Sequence, residues 1–288
     1  MPTSAGRLFL VSTPIGNLGD ITRRAVEVLT TAGLVLAEDT RRTRALLSHL
    51  QITHKELRSL NANSSPEAVA QIIARLAGGT EVAFVTDAGT PAVSDPGRAL
   101  VAAAAAQGIE TRVVPGPSAV TAAVALSGLV EGPFTFLGFL PRRGAGREAL
   151  LERIQYGTEP VVLFESPLRL AETLAELAAL IPERAAFVGR ELTKLHEEGL
   201  RGSVRELGAR SEPWRGEIVV VIAGGEPRDA LDVERRQLVE ASLRAALECG
   251  ANPSHIARAL AQASGLPRRE LYARALELSG ALPRRDDE

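Results

Sequence analysis

The stretch Val82-Ala-Phe-Val-Thr-Asp-Ala-Gly-Thr-Pro-Ala-Val-Ser-Asp-Pro-Gly97 predicts the fold of this 288-residue chain. An apolar run of strand length, residues 81–86, stops at a loop dense in Gly, Pro, Ser, Thr and Asp. An alanine-rich helical segment follows, and a second apolar run, residues 109–114, leads into Pro115-Gly-Pro-Ser118. The pattern is one β-loop-α-β unit. Ligands of open α/β sheets bind outside the carboxyl ends of the strands, so the two loops predict a cleft for a small molecule.

The first of these loops carries the polar groups of that cleft. Asp87, Thr90, Ser94 and Asp95 supply carboxylates and hydroxyls, and the glycines between them let a ligand approach the backbone. We therefore expect a rigid site in which side chains and main chain both take part.

Composition restricts the class of protein. The chain is 45% hydrophobic with a net charge of −2, and its length allows two domains. A single cysteine, Cys249, excludes an intrachain disulfide and fits a reducing compartment. No segment has the length and apolarity of a membrane span, so we expect a cytoplasmic protein. The absence of Walker, GxSxG, HExxH and paired CxxC motifs argues against kinase, hydrolase and metal-site interpretations.

The N-terminal residues read as the start of a nucleotide-binding type of α/β domain. Residues 7–13 predict a strand, Asp20 a helix N-cap, and residues 34–38 a second strand. A dinucleotide site is the alternative, because an acidic residue, Glu38, follows Gly16 at nearly the spacing that holds a ribose. The loop lacks the third glycine of GxGxxG, which disfavours that alternative.

Charged residues follow several of the predicted strands. Arg41 and Arg42 are either a solvated helix face or contacts to a phosphate-bearing substrate. Residues 141–147 predict a flexible basic loop that suits phosphate contacts. Two further segments, residues 165–167 and 190–198, end strands with charge where the wall of a site is expected.

The domain prediction places an N-terminal α/β domain at residues 1–130 and a second α/β domain, with a partly antiparallel sheet, at 131–226. A helical domain follows at 232–280, and residues 281–288 predict a frayed tail. Inside the helical domain, Ser264-Gly-Leu-Pro267 is typical of a helix-turn-helix, with a plain helical hairpin as the alternative.

Six motifs in one order resemble the ribosomal RNA small subunit methyltransferase I family of the tetrapyrrole methylase superfamily, over residues 7–279. They are Thr13-Pro-Ile-Gly-Asn-Leu-Gly-Asp20, Ala37-Glu-Asp-Thr-Arg41, Asp87-Ala-Gly-Thr-Pro91 with Ser94-Asp-Pro-Gly97, Pro115-Gly-Pro-Ser-Ala119, Gly138-Phe-Leu-Pro141, and Arg190-Glu-Leu-Thr-Lys-Leu-His-Glu-Glu198. The resemblance implies transfer of a methyl group from S-adenosylmethionine to the ribose 2′-hydroxyl of a cytidine in the decoding region of 16S ribosomal RNA. It also implies homodimers whose two α/β domains enclose the methyl donor, and a substrate that is either the RNA or the assembled small subunit.

Carried over by motif, the expected site has three groups of residues. The donor contacts are Pro14, Gly16, Asp87, Ala88, Gly89, Thr90, Pro91, Ser118, Ala119 and Leu140. A base is expected in the site because a protonated 2′-hydroxyl is a poor nucleophile. The candidates for this base and for its charge partners are Glu38, Asp39, Glu165, Glu191 and Lys194. The expected RNA contacts are Arg41, Arg42, Arg142, Arg143, Arg147, Arg268 and Arg269.

The chain departs from the family pattern at two places. It has Leu60-Asn-Ala-Asn-Ser64 where relatives carry a His-acid-His-Asn run, and Leu168 where they often carry histidine. Two other functions stay open: a methyltransferase of the same fold that acts on a tetrapyrrole or a protein, and a non-catalytic ribosome-assembly factor. The basic loop and the helix-turn-helix argue against the first, and the missing histidines are the support for the second.

Overall fold

The computed structural model describes residues 5–226 and 230–279, without the side chains of residues 230–234. The chain divides into two compact units, Met1–Gly225 and Glu226–Glu288. In the first unit the strands are β1 (Leu8–Val11), β2 (Leu34–Ala37), β3 (Leu57–Ser59), β4 (Val82–Val85), β5 (Thr111–Val114), β6 (Thr135–Phe139), β7 (Val161–Glu165), β8 (Ala185–Arg190), β9 (Glu198–Ser203) and β10 (Ile218–Ile222). Its helices are α1 (Arg23–Thr31), α2 (Thr40–His49), α3 (Pro66–Ala77), α4 (Arg98–Ala106), α5 (Ala119–Ser127), α6 (Ala145–Tyr156), α7 (Leu170–Leu180) and α8 (Val204–Gly208).

The first sheet is parallel throughout, in the order β3-β2-β4-β1-β5. Its central strands are buried along their whole length because helices cover both faces. Alternate residues of β4 show this: Phe84 packs with the α3 and α4 side, and Val85 with the α1 and α2 side. The carboxyl ends of β2, β4 and β5 therefore meet along one edge of the sheet.

The second sheet has the order β6-β7-β10-β8-β9, with β6 and β7 parallel and the other neighbours antiparallel. One face packs against α6, α7 and α8, and the other receives Val120 and Ala123 of α5. Helix α5 follows the last strand of the first sheet, so its packing joins the two sheets within one unit. The predicted architecture of two α/β layers, the second partly antiparallel, is confirmed.

Three local predictions differ from the structure. Asp20 is not an N-cap; it lies in a 3₁₀ turn, Leu18–Asp20, and the side chain of Thr22 caps α1 by accepting a hydrogen bond from Ala25 N. The basic loop is also shorter than expected, because α6 starts at Ala145 and takes Arg147 into a helix. Strands β3 and β9 and the short helix α8 were missed; β3 is three residues long, and the charged sequence of β9 conceals its strand pattern.

The second unit contains α9 (Ala230–Glu248), α10 (Pro253–Ser264) and α11 (Arg268–Leu278). The side chain of Asn252 caps α10, and Gly265 ends the helix in the left-handed conformation, φ 72°. Val239, Ala257 and Leu271 form its small core. The predicted tail, residues 281–288, lies outside the described residues. In the part of the chain that the structure describes, no helix is both long and apolar enough to cross a membrane.

Candidate functional site

A cleft of about 420 Å³ lies in the first unit, where the carboxyl ends of the first sheet meet the second sheet. From the first sheet it receives Glu38 after β2, residues 87–90 and 93–95 after β4, and residues 118–120 at the start of α5. From the second sheet it receives Phe139, residues 164–167 and residues 216–219. Its volume is in the range of sites that bind small molecules and cofactors.

The loop after β4 is held to β1 by its backbone. Thr13 N donates to Gly89 O at 2.9 Å and Gly89 N donates to Thr13 O at 3.0 Å, and the Ser12 and Thr90 hydroxyls lie 3.0 Å apart. Gly89 has φ 79°, a conformation that glycine adopts without steric cost. The floor of the cleft is thus fixed before any ligand binds.

The following residues are held in unusual conformations. Ala92 and Ser94 have φ values of 67° and 60°, and Gly97 has φ 125° with its Cα against the Phe84 ring, where a Cβ would overlap Cε1. Left-handed conformations of non-glycine residues cost free energy and concentrate at functional sites. This strained loop presents Asp95 to the cleft.

Five carboxylate residues line the cleft, and three of them, Glu38, Asp87 and Asp95, come from the loops of the first sheet. Burial, followed by the charges of Glu38 and Asp87, raises the pKa of Asp95 to about 6, and the Thr86 hydroxyl partly opposes that rise. Burial and the charge of Asp87 also raise the pKa of Glu38. Within the described residues, neither Glu38 nor Asp95 forms a salt bridge, so both are available to a ligand.

Asp87 is anchored, unlike the other two. Its Oδ1 accepts a hydrogen bond from Asp39 N at 3.1 Å, and its Oδ2 lies 3.4 Å from Arg42 Nη1. Asp87 therefore ties the loop after β2 to the loop after β4.

The start of α5 borders the same cleft through Ser118, Ala119 and Val120. The side chain of Ser118 makes no capping hydrogen bond, so the first-turn N–H groups keep their capacity to donate. The positive end of the helix dipole favours an anionic group there. The cleft thus offers an anion site at one wall and carboxylates at another.

Residues 7–208 match the family model for tetrapyrrole (corrin/porphyrin) methylases, which covers more than half of the chain. The chain belongs to the tetrapyrrole methylase family. The match ends before the second unit begins at Glu226.

Individual relatives identify a narrower family within the tetrapyrrole methylases. The ribosomal RNA small subunit methyltransferase I of Synechocystis sp. is 42% identical over 95% of this chain and 98% of its own length. The protein of the same name from Thermotoga maritima is 47% identical over 77% of this chain and the whole of its own length. The chain is therefore a member of the ribosomal RNA small subunit methyltransferase I family, as the six motifs predicted.

Solved structures share the fold at low sequence identity. A uroporphyrin-III C-methyltransferase from Thermus thermophilus, complexed with S-adenosylhomocysteine, aligns with TM-score 0.55 and 19% identity over 76% of this chain and 97% of that one. A cobalt precorrin-4 methyltransferase aligns with TM-score 0.59 and 20% identity over 75% and 94%. These likenesses concern the fold alone.

Six of the ten predicted donor contacts line the cleft: Asp87, Ala88, Gly89, Thr90, Ser118 and Ala119. The other four, Pro14, Gly16, Pro91 and Leu140, are not lining residues. Pro14, Pro91 and Leu140 are buried, so their side chains serve packing. Gly16 instead packs against the segment that holds Leu192 and Lys194, where a Cβ would overlap the Lys194 side chain.

Two of the predicted carboxylates are bound within the protein. Glu165 is buried; its Oε1 pairs with Arg169 and accepts from Ser166 N at 2.7 Å, and its Oε2 accepts from the Thr173 hydroxyl at 2.9 Å. Asp39 accepts three hydrogen bonds from Arg41, which lower its pKa. Each carboxylate is held in an ion pair with an arginine, so we assign Glu165 and Asp39 to positioning these loops in place of the predicted proton transfer.

Glu191 and Lys194 form a cross-link between loops outside the cleft lining. Glu191 Oε1 accepts from Lys194 Nζ and from Glu217 N, both at 2.8 Å, and the hydrogen bond from Lys194 lowers the pKa of Glu191. Burial alone lowers the pKa of Lys194, but its bonds with Glu191 and Glu217 raise it overall. We therefore assign this pair to positioning the loop that contacts Gly16, in place of the predicted catalytic role.

The predicted RNA contacts differ in how exposed their side chains are. Arg142 and Arg143 are exposed before α6, and Arg268 and Arg269 are exposed at the start of α11. Arg41 and Arg42 keep 86% and 63% of their side chains exposed beside the cleft.

Arg147 is the exception, and its prediction as an RNA contact is wrong. Its side chain is 8% exposed; it donates to Glu176 at 2.7 and 2.9 Å and to Pro141 O at 3.0 Å. No local sequence pattern indicates this use, because the partners of Arg147 lie on α7 and in the loop before α6.

Sequence reasoning placed Asp95 in the cleft but left it out of the proton-transfer candidates. It missed Phe139 and Phe164 altogether, because an aromatic residue at a strand end normally reads as core. Their exposure depends on the geometry of β6, which no local motif reports.

Proposed function

We propose that this protein transfers a methyl group from S-adenosylmethionine to the 2′-hydroxyl of a cytidine in the decoding region of small-subunit ribosomal RNA. The observation that carries the proposal is a cleft in which two carboxylates form no salt bridge with any described residue, in a chain 42% identical to a ribosomal RNA small subunit methyltransferase I over nearly its whole length. Its fold is that of enzymes that methylate other acceptors, so the choice of RNA rests on the relatives and on the exposed arginines.

The residues of the cleft fit the donor. S-adenosylmethionine has a sulfonium cation, an amino acid end and ribose hydroxyls, and it supplies a methyl carbon that the sulfonium has already activated. The first-turn N–H groups of α5 suit the carboxylate of such a ligand. The carboxylates of Glu38, Asp87 and Asp95 suit its cationic and hydroxyl groups.

We assign proton transfer to Asp95. The strained loop holds it in the cleft, its carboxylate has no salt-bridge partner among the described residues, and a pKa of about 6 leaves it ionised at neutral pH yet more basic than an ordinary aspartate. Asp95 accepts the proton of the 2′-hydroxyl, and the charges of Glu38 and Asp87 keep it basic. Methylation should therefore rise with pH through about pH 6 and level off above it.

The exposed arginines of both units are the proposed phosphate contacts: Arg41, Arg42, Arg142, Arg143, Arg268 and Arg269. Guanidinium groups bind phosphates through paired donors, and such contacts give an affinity that falls steeply with salt. A ribosomal substrate implies a cytoplasmic location.

We also propose that the protein is a homodimer, which the apolar exposure of Val113 and Leu126 supports. Sedimentation equilibrium of the full chain at micromolar concentration tests this. A single monomeric species across the concentration range would contradict it.

The function is tested with S-adenosylmethionine labelled in its methyl group and small ribosomal subunits that lack the modification. The RNA is digested after reaction and the labelled nucleoside identified. We expect label in 2′-O-methylcytidine. Label in another nucleoside would show that cytidine is not the methyl acceptor. If the folded protein binds the donor but no RNA is labelled, a different methyl acceptor or a non-catalytic assembly factor is favoured.

The base assignment needs a separate measurement, because a variant can lose activity through poor donor binding. Single-turnover methylation by Asp95→Asn and Glu38→Gln is compared with donor affinity from calorimetry. We expect Asp95→Asn to slow the chemical step by at least a hundredfold with donor affinity within about threefold. If Asp95→Asn reacts as fast as the wild type, Asp95 is not the base.

A further inference from the structure

An aromatic surface borders the cleft at the end of β6. The ring of Phe139 is 55% exposed and lines the cleft. Its centroid lies 5.5 Å from that of Phe164, which also lines the cleft, and Phe164 in turn contacts Phe136 edge-on at 5.0 Å. Three of the seven phenylalanines in the chain meet here. A half-exposed ring held by Phe164, which Phe136 contacts in turn, is a candidate surface for a planar ligand.

A bulge in β6 creates this arrangement. Phe136 pairs with Val162 and Phe139 with Phe164, so three steps along β6 match two along β7. Strict alternation would put Phe136 and Phe139 on opposite faces of the sheet. Gly138, with φ 65°, accommodates the extra residue and turns Phe139 to the face of Phe136 and Phe164. Exposing an aromatic ring in this way forfeits burial that the regular strand would provide.

The neighbours of Phe139 are suited to RNA. A Cβ on Gly138 would come within 2.8 Å of Ser94 Oγ, so the ring adjoins the loop that carries Asp95. Arg142 and Arg143 follow it by three and four residues, and both are exposed. Aromatic rings interleaved with arginines are the combination that binds single-stranded nucleic acid, the rings stacking on bases and the arginines contacting phosphates.

We propose that Phe139 is the stacking platform for the base of the target nucleotide, which leaves its helical stack and enters the cleft so that its ribose reaches the Asp95 loop. This inference rests on the proposed function, because it concerns the acceptor of the same site. Phe164 supports the ring from below and is a positioning residue. The position of Phe139 at the open side of the cleft, next to the arginines, favours the RNA base over the adenine of the donor.

The test compares Phe139→Ala, Phe139→Leu and Phe139→Tyr with Phe134→Ala, a matched change at another exposed phenylalanine that does not line the cleft. Steady-state methylation of small subunits gives KM and kcat, and calorimetry gives the donor affinity. We expect Phe139→Ala and Phe139→Leu to raise the KM for subunits about fivefold to a hundredfold. Phe139→Tyr, Phe134→Ala and every donor affinity should stay within about twofold of the wild type.

Two results overturn the proposal. If Phe139→Ala weakens donor binding and leaves the KM for subunits unchanged, the ring stacks on the donor. If Phe139→Leu behaves like Phe139→Tyr, the site needs apolar bulk and not an aromatic face.

A binding assay separates this inference from the proposed function. A fluorescent single-stranded RNA of about twelve nucleotides with a central cytidine is titrated with each variant, alongside the same RNA with that base removed. Stacking predicts that Phe139→Ala weakens binding of the intact RNA and leaves binding of the base-free RNA unchanged, whether or not the wild type methylates either one. If Phe139→Ala weakens binding of both RNAs equally, the stacking proposal is wrong. If the two RNAs differ as expected but neither is methylated, only the proposed function is contradicted.

Discussion

Replacing Asp95 with asparagine should stabilise the protein at neutral pH while removing its activity. The pKa of Asp95 rises from 3.8 to about 6 because burial and the carboxylates of Glu38 and Asp87 disfavour its ionised form. A group whose pKa is higher in the folded state destabilises that state as the pH rises through the interval between the two values, here about pH 4 to 6. Asparagine has nearly the same shape and carries no charge, so it avoids this loss.

The size of the effect follows from the same shift. At about 1.4 kcal/mol per pH unit, the full shift corresponds to ~3 kcal/mol. Asp95 is partly exposed, so solvent screening reduces this figure, and we expect a gain of about 1–2 kcal/mol at pH 8. At pH 4 the aspartic acid is itself largely neutral, so the gain should be close to zero.

Urea unfolding of the full chain at pH 4, 6 and 8, followed by the fluorescence of Trp214, measures the gain. Trp214 is the single tryptophan of the chain and packs in the core of the first unit, so its signal reports that unit. Glu27→Gln, on the exposed face of α1, is the control for loss of a carboxylate and should change stability by less than about 0.5 kcal/mol. A gain that is equal at pH 4 and pH 8, or a loss of stability at pH 8, would refute the electrostatic argument.

Three other predictions concern the loop after β4, the buried ion pair of Glu165, and the arginines at the start of α11. Gly97→Ala should weaken donor binding at least tenfold by calorimetry, because the new Cβ overlaps the Phe84 ring. Gly108→Ala is the control: Gly108 also has a positive φ, 67°, but no atom lies within 4 Å of the new Cβ, so donor affinity should stay unchanged. Glu165→Gln should lower the stability measured by urea by about 3 kcal/mol, since it leaves an arginine largely buried and unpaired; a loss below about 1 kcal/mol would contradict this. The double change Arg268→Glu and Arg269→Glu should raise the KM for small subunits at least tenfold and flatten its salt dependence, and an unchanged KM would exclude these residues as RNA contacts.

Much of the fold could be predicted from sequence because its signals are local. The apolar runs around Val82 and Val161 end at loops rich in glycine and proline, and strands occur there. Ser65 and Asn252 each cap a helix and are each followed by a proline in its first turn, a pattern that is local in the sequence. The error at Asp20 arises because several residues of one loop can cap a helix and the path of the chain selects one.

The candidate site could be predicted only in outline. The sequence located charged residues at strand ends, and the structure decided which of them are free. Glu165 is bound by groups on α7 and in the loop after β7, whereas Glu38 and Asp95 line the cleft and form no salt bridge with the described residues. The partners of Glu165 lie within eight residues of it, but they converge on its carboxylate only because the chain turns from β7 into α7, and no sequence motif indicates that turn.

The sequence by itself determined the order of strands and helices, the loops that end them and the family to which the chain belongs, because these depend on periodicity and on residues close together in the chain. Tertiary structure decided which carboxylates stay unpaired in the cleft, and it turned Phe139 toward that cleft through the bulge at Gly138. Whether a side chain can contact a ligand depends on the residues that pack around it. Those residues are brought together only when the two sheets pack against each other.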